Sequence, residues 1–170
     1  VEPHTVPVVC ITGNAKRINE VMRVDDKDEK VERLAYLSYY EADGELGISF
    51  PAGIKPKGAG TIVYAQKSLS VNLRAGYGQS SVTYPFWDDY EFKTFSSLVL
   101  RNGGQDWSAA RIRDSFISRL VEGMYVDNSA TRPVVVYING EYNGLYDLNE
   151  DLNSEFLVTH YGIDGDTVDF

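Results

Sequence analysis

Residues 133 to 150 read PVVVYINGEYNGLYDLNE, two runs of β-branched and aromatic residues meeting at Asn139-Gly140. Asn-Gly between such runs is a strong hairpin signal, because both central positions of a type I′ turn need positive φ. The hairpin is expected over residues 133 to 148, with Ile138 opposite Glu141 and Arg132 opposite Asp147. In that register Tyr142, Tyr146, Leu148 and Glu150 share one face, so a carboxylate ends an apolar row. Position alone leaves Glu150 two readings, a solvent-facing strand end or a held acid.

Upstream, residues 108 to 122 carry a helical period, with Asp106 or Ser108 as N-cap and Gly123 closing the helix. Ile112, Phe116, Ile117 and Leu120 fall within an arc of roughly 140°, which reads as the core-facing stripe. Arg113 falls inside that arc and wants a carboxylate or a phosphate for its fork of donors. A buried structural ion pair answers that need as well as a ligand does.

Further upstream lie strand-like segments at residues 33 to 41, 45 to 55, 61 to 74 and 94 to 101, with an edge strand at 6 to 12. Asp43-Gly44 reads as a two-residue turn, and the charge-dense 14 to 31 as a surface loop or short helix. After Gln66, Leu69, Val71 and Leu73 alternate with Ser68, Ser70, Asn72 and Arg74, a clean period of two. Lys67 is in phase with the apolar set, and a desolvated ammonium costs several kcal/mol unless paired. It must reach an anion or water, or snorkel out from the strand's start. Residues 75 to 93, AGYGQSSVTYPFWDDYEFK, read as an ordered loop packed by its aromatics, and a short helix is expected near 151 to 160.

The chain has 170 residues, 43% of them hydrophobic, which indicates one globular domain over residues 1 to 170. Sixteen Lys and Arg against 25 Asp and Glu leave a net charge of −9, unsuited to a nucleic-acid backbone. No apolar run approaches the roughly 20 residues of a membrane span. The single Cys10 excludes an internal disulfide framework and reads as a buried thiol. A Walker phosphate loop, a GxSxG elbow and an HExxH zinc motif are all missing. Asp164, Asp166 and Asp169 read as a polar turn rather than a cation site. An inward lysine, a helix with an inward charge and a hairpin leading into an acid describe half of a nucleotide-phosphate site, as in a kinase small lobe.

Three segments carry a resemblance to a known family: LVLRNGGQDW (98 to 107), IRDSFISRL (112 to 120) and VVVYINGEYNGLYDLNED (134 to 151). Together with YAQKSLSVNLRAGYG (64 to 78) and AYLSYYEADGELGIS (35 to 49), they resemble, in order, the motifs of the CotH family of spore-coat protein kinases. The resemblance is collinear from about Pro7 to Phe170. It implies an α+β fold, a twisted and mainly antiparallel sheet with one principal helix, equivalent to a kinase small lobe and hinge. It also implies ATP with Mg²⁺ or Mn²⁺, and transfer of the γ-phosphoryl to Ser/Thr hydroxyls of secreted or spore-coat proteins, outside the cell or on its surface.

On that resemblance Lys67, Arg113, Asp114 and Glu150 are the nucleotide-binding residues. The family's catalytic and metal-binding aspartates belong to a large lobe beyond Phe170, so this stretch alone is expected to be inactive and to hold no metal. Two departures stand beside the site: Asn149 replaces the usual arginine and Asp151 the usual lysine. The rival reading is a non-catalytic surface module that binds carbohydrate or a protein partner through exposed Tyr77, Tyr84, Phe86, Trp87 and Tyr90. A third is that these aromatics are core.

Overall fold

A computed structural model describes residues 4 to 29, 31 to 164 and 167. Among these residues nine strands and three α-helices make an α+β fold whose main sheet rolls into a barrel. The strands are β1 (Val8–Thr12), β2 (Arg33–Tyr40), β3 (Leu46–Lys57), β4 (Ser68–Asn72), β5 (Val82–Thr83), β6 (Thr94–Phe95), β7 (Ser97–Arg101), β8 (Thr131–Ile138) and β9 (Glu141–Glu150). The helices are α1 (Ala15–Arg23), α2 (Arg113–Leu120) and α3 (Ser154–Tyr161). Around the barrel the order is β1-β2-β3-β4-β7-β9-β8, and every pair is antiparallel except the closing one, β1 with β8. Val9, Leu37, Ala52, Val71, Leu100, Leu148 and Val136 each put a buried side chain into the core, the inward half of a period-two pattern.

The Asn139-Gly140 turn forms as expected, with both residues at positive φ (50° and 85°) and Ile138 opposite Glu141. A register shift follows at once: Tyr137 pairs with Tyr142, but Val136 pairs with Gly144, leaving Asn143 as the extra residue. The bulge moves Arg132 opposite Leu148 rather than Asp147. It also detaches Tyr142, which is exposed, from the buried row of Tyr146, Leu148 and Glu150.

Other expectations shift for physical reasons. Residues 61 to 66 are a turn, not strand, stabilised by Tyr64 N–H on the Thr61 carbonyl. Asp43-Gly44 sits in a longer loop, since Tyr40 pairs with Leu46 across a bulge. The 14 to 31 segment contains α1, capped by the Asn14 side chain, and its Ile18 and Val21 reach the core.

The helix expected over 108 to 122 begins only at Arg113, because Arg111 takes a left-handed φ of 64°. Asp106 is not its N-cap in the usual sense: from seven residues back, its carboxylate accepts the Arg113 N–H at 3.4 Å. The apolar arc is inverted. Ile112, Phe116, Ile117 and Leu120 are all more than half exposed. The polar edge of α2 faces the barrel, with Asp114 bonded to Arg101 and Ser115 beside Asp147. Arg113 is therefore exposed rather than buried in a stripe.

The aromatic loop is core. Phe86 and Trp87 are buried, and Phe86 meets Tyr39 edge-on at 5.2 Å, while Trp87 meets Phe95 at 5.3 Å. Tyr84 and Tyr90 are half-buried against the same cluster. Tyr77 is half-buried outside that cluster, so Phe86 and Trp87 are withdrawn from the surface on which the carbohydrate reading depended, and Tyr77, Tyr84 and Tyr90 keep only part of their rings exposed.

Candidate functional site

Lys67 enters β4 in phase with Leu69 and Val71, as the alternation requires, and is 4% exposed. Its ammonium donates to the Ile62 carbonyl at 2.6 Å and more weakly to that of Tyr64 at 3.4 Å. It therefore caps the turn that precedes its own strand. Burial lowers its pKa, and the charge of Asp25 pulls the other way. Among the described residues no carboxylate touches it.

The segments on either side of Lys67 are stitched to the Asn102-Gly103-Gly104 break. Asn102, 1% exposed, takes the Ser68 hydroxyl on Oδ1 at 2.8 Å and gives its amide to the Gln66 carbonyl at 2.5 Å. Asn102 Oδ1 also accepts the Gly104 N–H, and the Asn102 N–H returns to Ser68 Oγ at 3.0 Å. Gly103 has φ 95°, and a Cβ there would lie 3.2 Å from the backbone of Arg111, so the loop closes only with glycine. The Gln66 side chain accepts from Trp107 Nε1 at 3.2 Å and from Arg111 at 2.9 Å. Nothing local in the sequence marks Asn102, Gln66 and Arg111 for this network, because its bonds join segments more than thirty positions apart.

Arg113 and Asp114 start α2 beside this loop. Arg113 lies 3.0 Å from Asp106 Oδ1, an ion pair whose angle falls short of a hydrogen bond, and Asp114 accepts Arg101 Nε at 2.7 Å. Beneath them Asp147 is buried, and its pKa is pushed up to about 6, by desolvation first.

Glu150 occupies the opposite end of the barrel. The register sets it level with Leu98 and Val71, four residues from Lys67 and so about 13 Å along the strands. Both carboxylate oxygens are engaged: Oε1 lies 3.0 Å from His160 Nε2, and Oε2 takes the Tyr90 hydroxyl. Burial and this bond hold the Tyr90 pKa well above its ordinary value. His160 is stacked between Phe156 and Phe92, each with ring centroids 3.9 Å away. Two open pockets flank α3 here. One of about 590 Å³ includes Tyr90, Arg132 and His160 in its wall; the other, of about 470 Å³, includes Ser97, Glu150 and Asp151. Asp151 is tied to Lys57 and to the Ser97 hydroxyl.

Lys67, Arg113 and Asp114 thus gather near one loop, and Glu150 stands apart from them. Among the described residues no three His, Cys, Asp or Glu side chains gather as a metal site. Asp166 and Asp169 lie outside the described residues. Among the described residues no helix is long and apolar enough to cross a membrane.

The profile of one family, described as CotH kinase protein, matches residues 54–169, more than half of the chain. The chain belongs to the CotH kinase family. Curated proteins returned no match. The CotH match opens inside β3, so β1, α1 and β2, which complete the barrel, precede it. Within it fall Gln66-Lys67-Ser68, the LRNGGQDW loop and the hairpin, the three segments that the Asn102 and Arg111 hydrogen bonds join. Membership of a kinase family implies nucleotide and divalent-metal use in general terms.

Proposed function

We propose that this chain supplies the nucleotide-binding part of a CotH-type kinase. That kinase moves the γ-phosphoryl of ATP, with Mg²⁺ or Mn²⁺, onto Ser or Thr hydroxyls of secreted or spore-coat proteins. In that transfer the bond between the γ-phosphorus and the β,γ-bridging oxygen breaks, a bond to the acceptor oxygen forms, ADP leaves and the hydroxyl proton is released. The setting outside the cell and the class of acceptor rest on family membership alone.

The observation that carries the reading is the Lys67 ammonium, desolvated and held, among the described residues, only by the carbonyls of Ile62 and Tyr64, inside the stretch that matches the family. A neutral carbonyl is a weaker partner for a cation than a phosphate oxygen, so an entering phosphate offers Lys67 a better bond. In this reading Arg113 and Asp114 brace the 101 to 106 loop through Asp106 and Arg101. Glu150, beside the 470 Å³ pocket, attends the far end of the nucleotide.

Calorimetric titration with MgATP is the test. The expected result is saturable binding that drops at least tenfold in Lys67→Met. Wild-type protein that leaves ATP unbound, with and without Mg²⁺ or Mn²⁺, overturns the proposal.

A further inference from the structure

Gln66 joins two cations that share one property. Arg33, Arg74, Arg101, Arg113, Arg119 and Arg132 are all paired with carboxylates. Of the guanidinium groups that make hydrogen bonds among the described residues, only that of Arg111 meets no carboxylate. It donates to Gln66 Oε1 at 2.9 Å, to the Leu145 carbonyl at 2.8 Å and to the Asn102 carbonyl at 3.4 Å. Lys67, the next residue after Gln66, is likewise held by carbonyls alone. Asp147 and Asp25 are the carboxylates whose charge reaches Arg111 and Lys67 respectively, and neither bonds to them. In a chain of net charge −9, two cations left to neutral oxygens, one at position 67 and one bonded to the side chain of position 66, stand out.

The backbone around Arg111 is unusual as well. Its φ of 64° is left-handed, a region that non-glycine residues seldom occupy and that concentrates where a side chain must be aimed. Gly103 and Gly104, at φ 95° and 58°, fold the preceding loop against it. Arg111 is half-buried, and its bond to Leu145 lies at the exposed rim, so solvent reaches the group.

We propose that Arg111 is a phosphate-contacting residue, a second cation that takes oxygens of the nucleotide's polyphosphate in exchange for its carbonyl partners. This assignment rests on the nucleotide reading above and adds a residue to it. A guanidinium fork matches two phosphate oxygens at once, and a charged acceptor strengthens each hydrogen bond that a carbonyl now accepts. Gln66 and Leu145 hold the fork in place before the anion arrives.

Two measurements test it with inorganic tripolyphosphate and ATP as probes. In calorimetric titrations Arg111→Gln is expected to weaken both at least tenfold and Arg111→Lys less, while Arg119→Gln, which removes an exposed charge elsewhere, leaves both unchanged. In the wild-type protein, phenylglyoxal labelling mapped by mass spectrometry is expected to show Arg111 protected by tripolyphosphate, and this holds whether or not the variants fold. Wild-type affinity in a folded Arg111→Gln protein, or equal labelling of Arg111 with and without the probe, refutes the Arg111 assignment and leaves the nucleotide reading standing. Failure of the wild-type protein to bind either probe removes both.

Discussion

Ser68 and Asn102, 34 positions apart in the chain, exchange two hydrogen bonds: the serine hydroxyl donates to Oδ1, and the asparagine N–H donates back to that hydroxyl oxygen. Both residues are buried, so the exchange fixes the loop after β7 against the start of β4 with no help from water. Asn102→Ala leaves the Gln66 carbonyl, the Ser68 hydroxyl and the Gly104 N–H without their partner. Each buried orphan costs about 1–3 kcal/mol, so a loss of roughly 3 kcal/mol in urea unfolding is expected. A loss under about 1 kcal/mol would mean that the loop is held by something else.

Asp147 sets a pH dependence. Its carboxyl has a pKa of about 6 in the folded protein against 3.8 ordinarily, because burial disfavours the charge. The folded state therefore binds this proton more tightly, and the stability it contributes is complete below about pH 4 and lost as pH rises through 6. Asp147→Asn removes that loss. The stability difference between variant and wild type is expected to grow in the variant's favour by about 2–3 kcal/mol from pH 4 to 7.5. Chemical denaturation at both pH values reads it, and a flat difference contradicts the assignment.

Lys67→Met separates stability from binding. The substitution removes a desolvated charge, which favours folding, and orphans two carbonyls, which opposes it. The two effects are of similar size, so the midpoint of urea unfolding should move by less than the equivalent of about 1 kcal/mol. A much larger loss would mark the ammonium as a structural keystone of the 61 to 66 turn.

Phe86→Ala tests the aromatic cluster. The ring is 1% exposed and touches Tyr39, Tyr84, Trp87 and Phe95. Truncating it should cost about 3–5 kcal/mol and weaken the near-ultraviolet circular dichroism of the cluster. An unchanged spectrum and melting point would return these aromatics to the surface.

The strands and the α+β class were legible because period-two alternation and turn residues are local: Leu69, Val71 and Leu73 declare their face, and Asn139-Gly140 declares its turn. The phase of Lys67 followed from the same alternation, which left open whether the amine stays inside or snorkels out; the structure buries it. What escaped was set by long-range contacts. The bulge at Asn143 is invisible in the composition of the strand, yet it reverses which residues meet Arg132. The stripe of Ile112, Phe116, Ile117 and Leu120 has a good helical period, but periodicity fixes a face without saying what lies against it. Here Arg101 and Asp147 hold the other side. The grip of Asn102 on Ser68 and of Arg111 on Gln66 spans more than thirty positions, beyond any local signal.

The parallel pairing of β1 with β8 has a consequence for how the chain is made. Val8 to Ile11 pair nearby with Leu37 to Tyr40, but their second partners lie only at Val135 to Ile138, so a ribosome must emit most of the sequence before the ring of staves can close. Until then β1 and β8 each keep an unpaired edge, and closing so distant a seam costs chain entropy early and returns contacts late. Assembly should accordingly be slow, on the millisecond-to-second scale of folds dominated by distant pairings, and half-synthesised chains should be the state most prone to stick to one another.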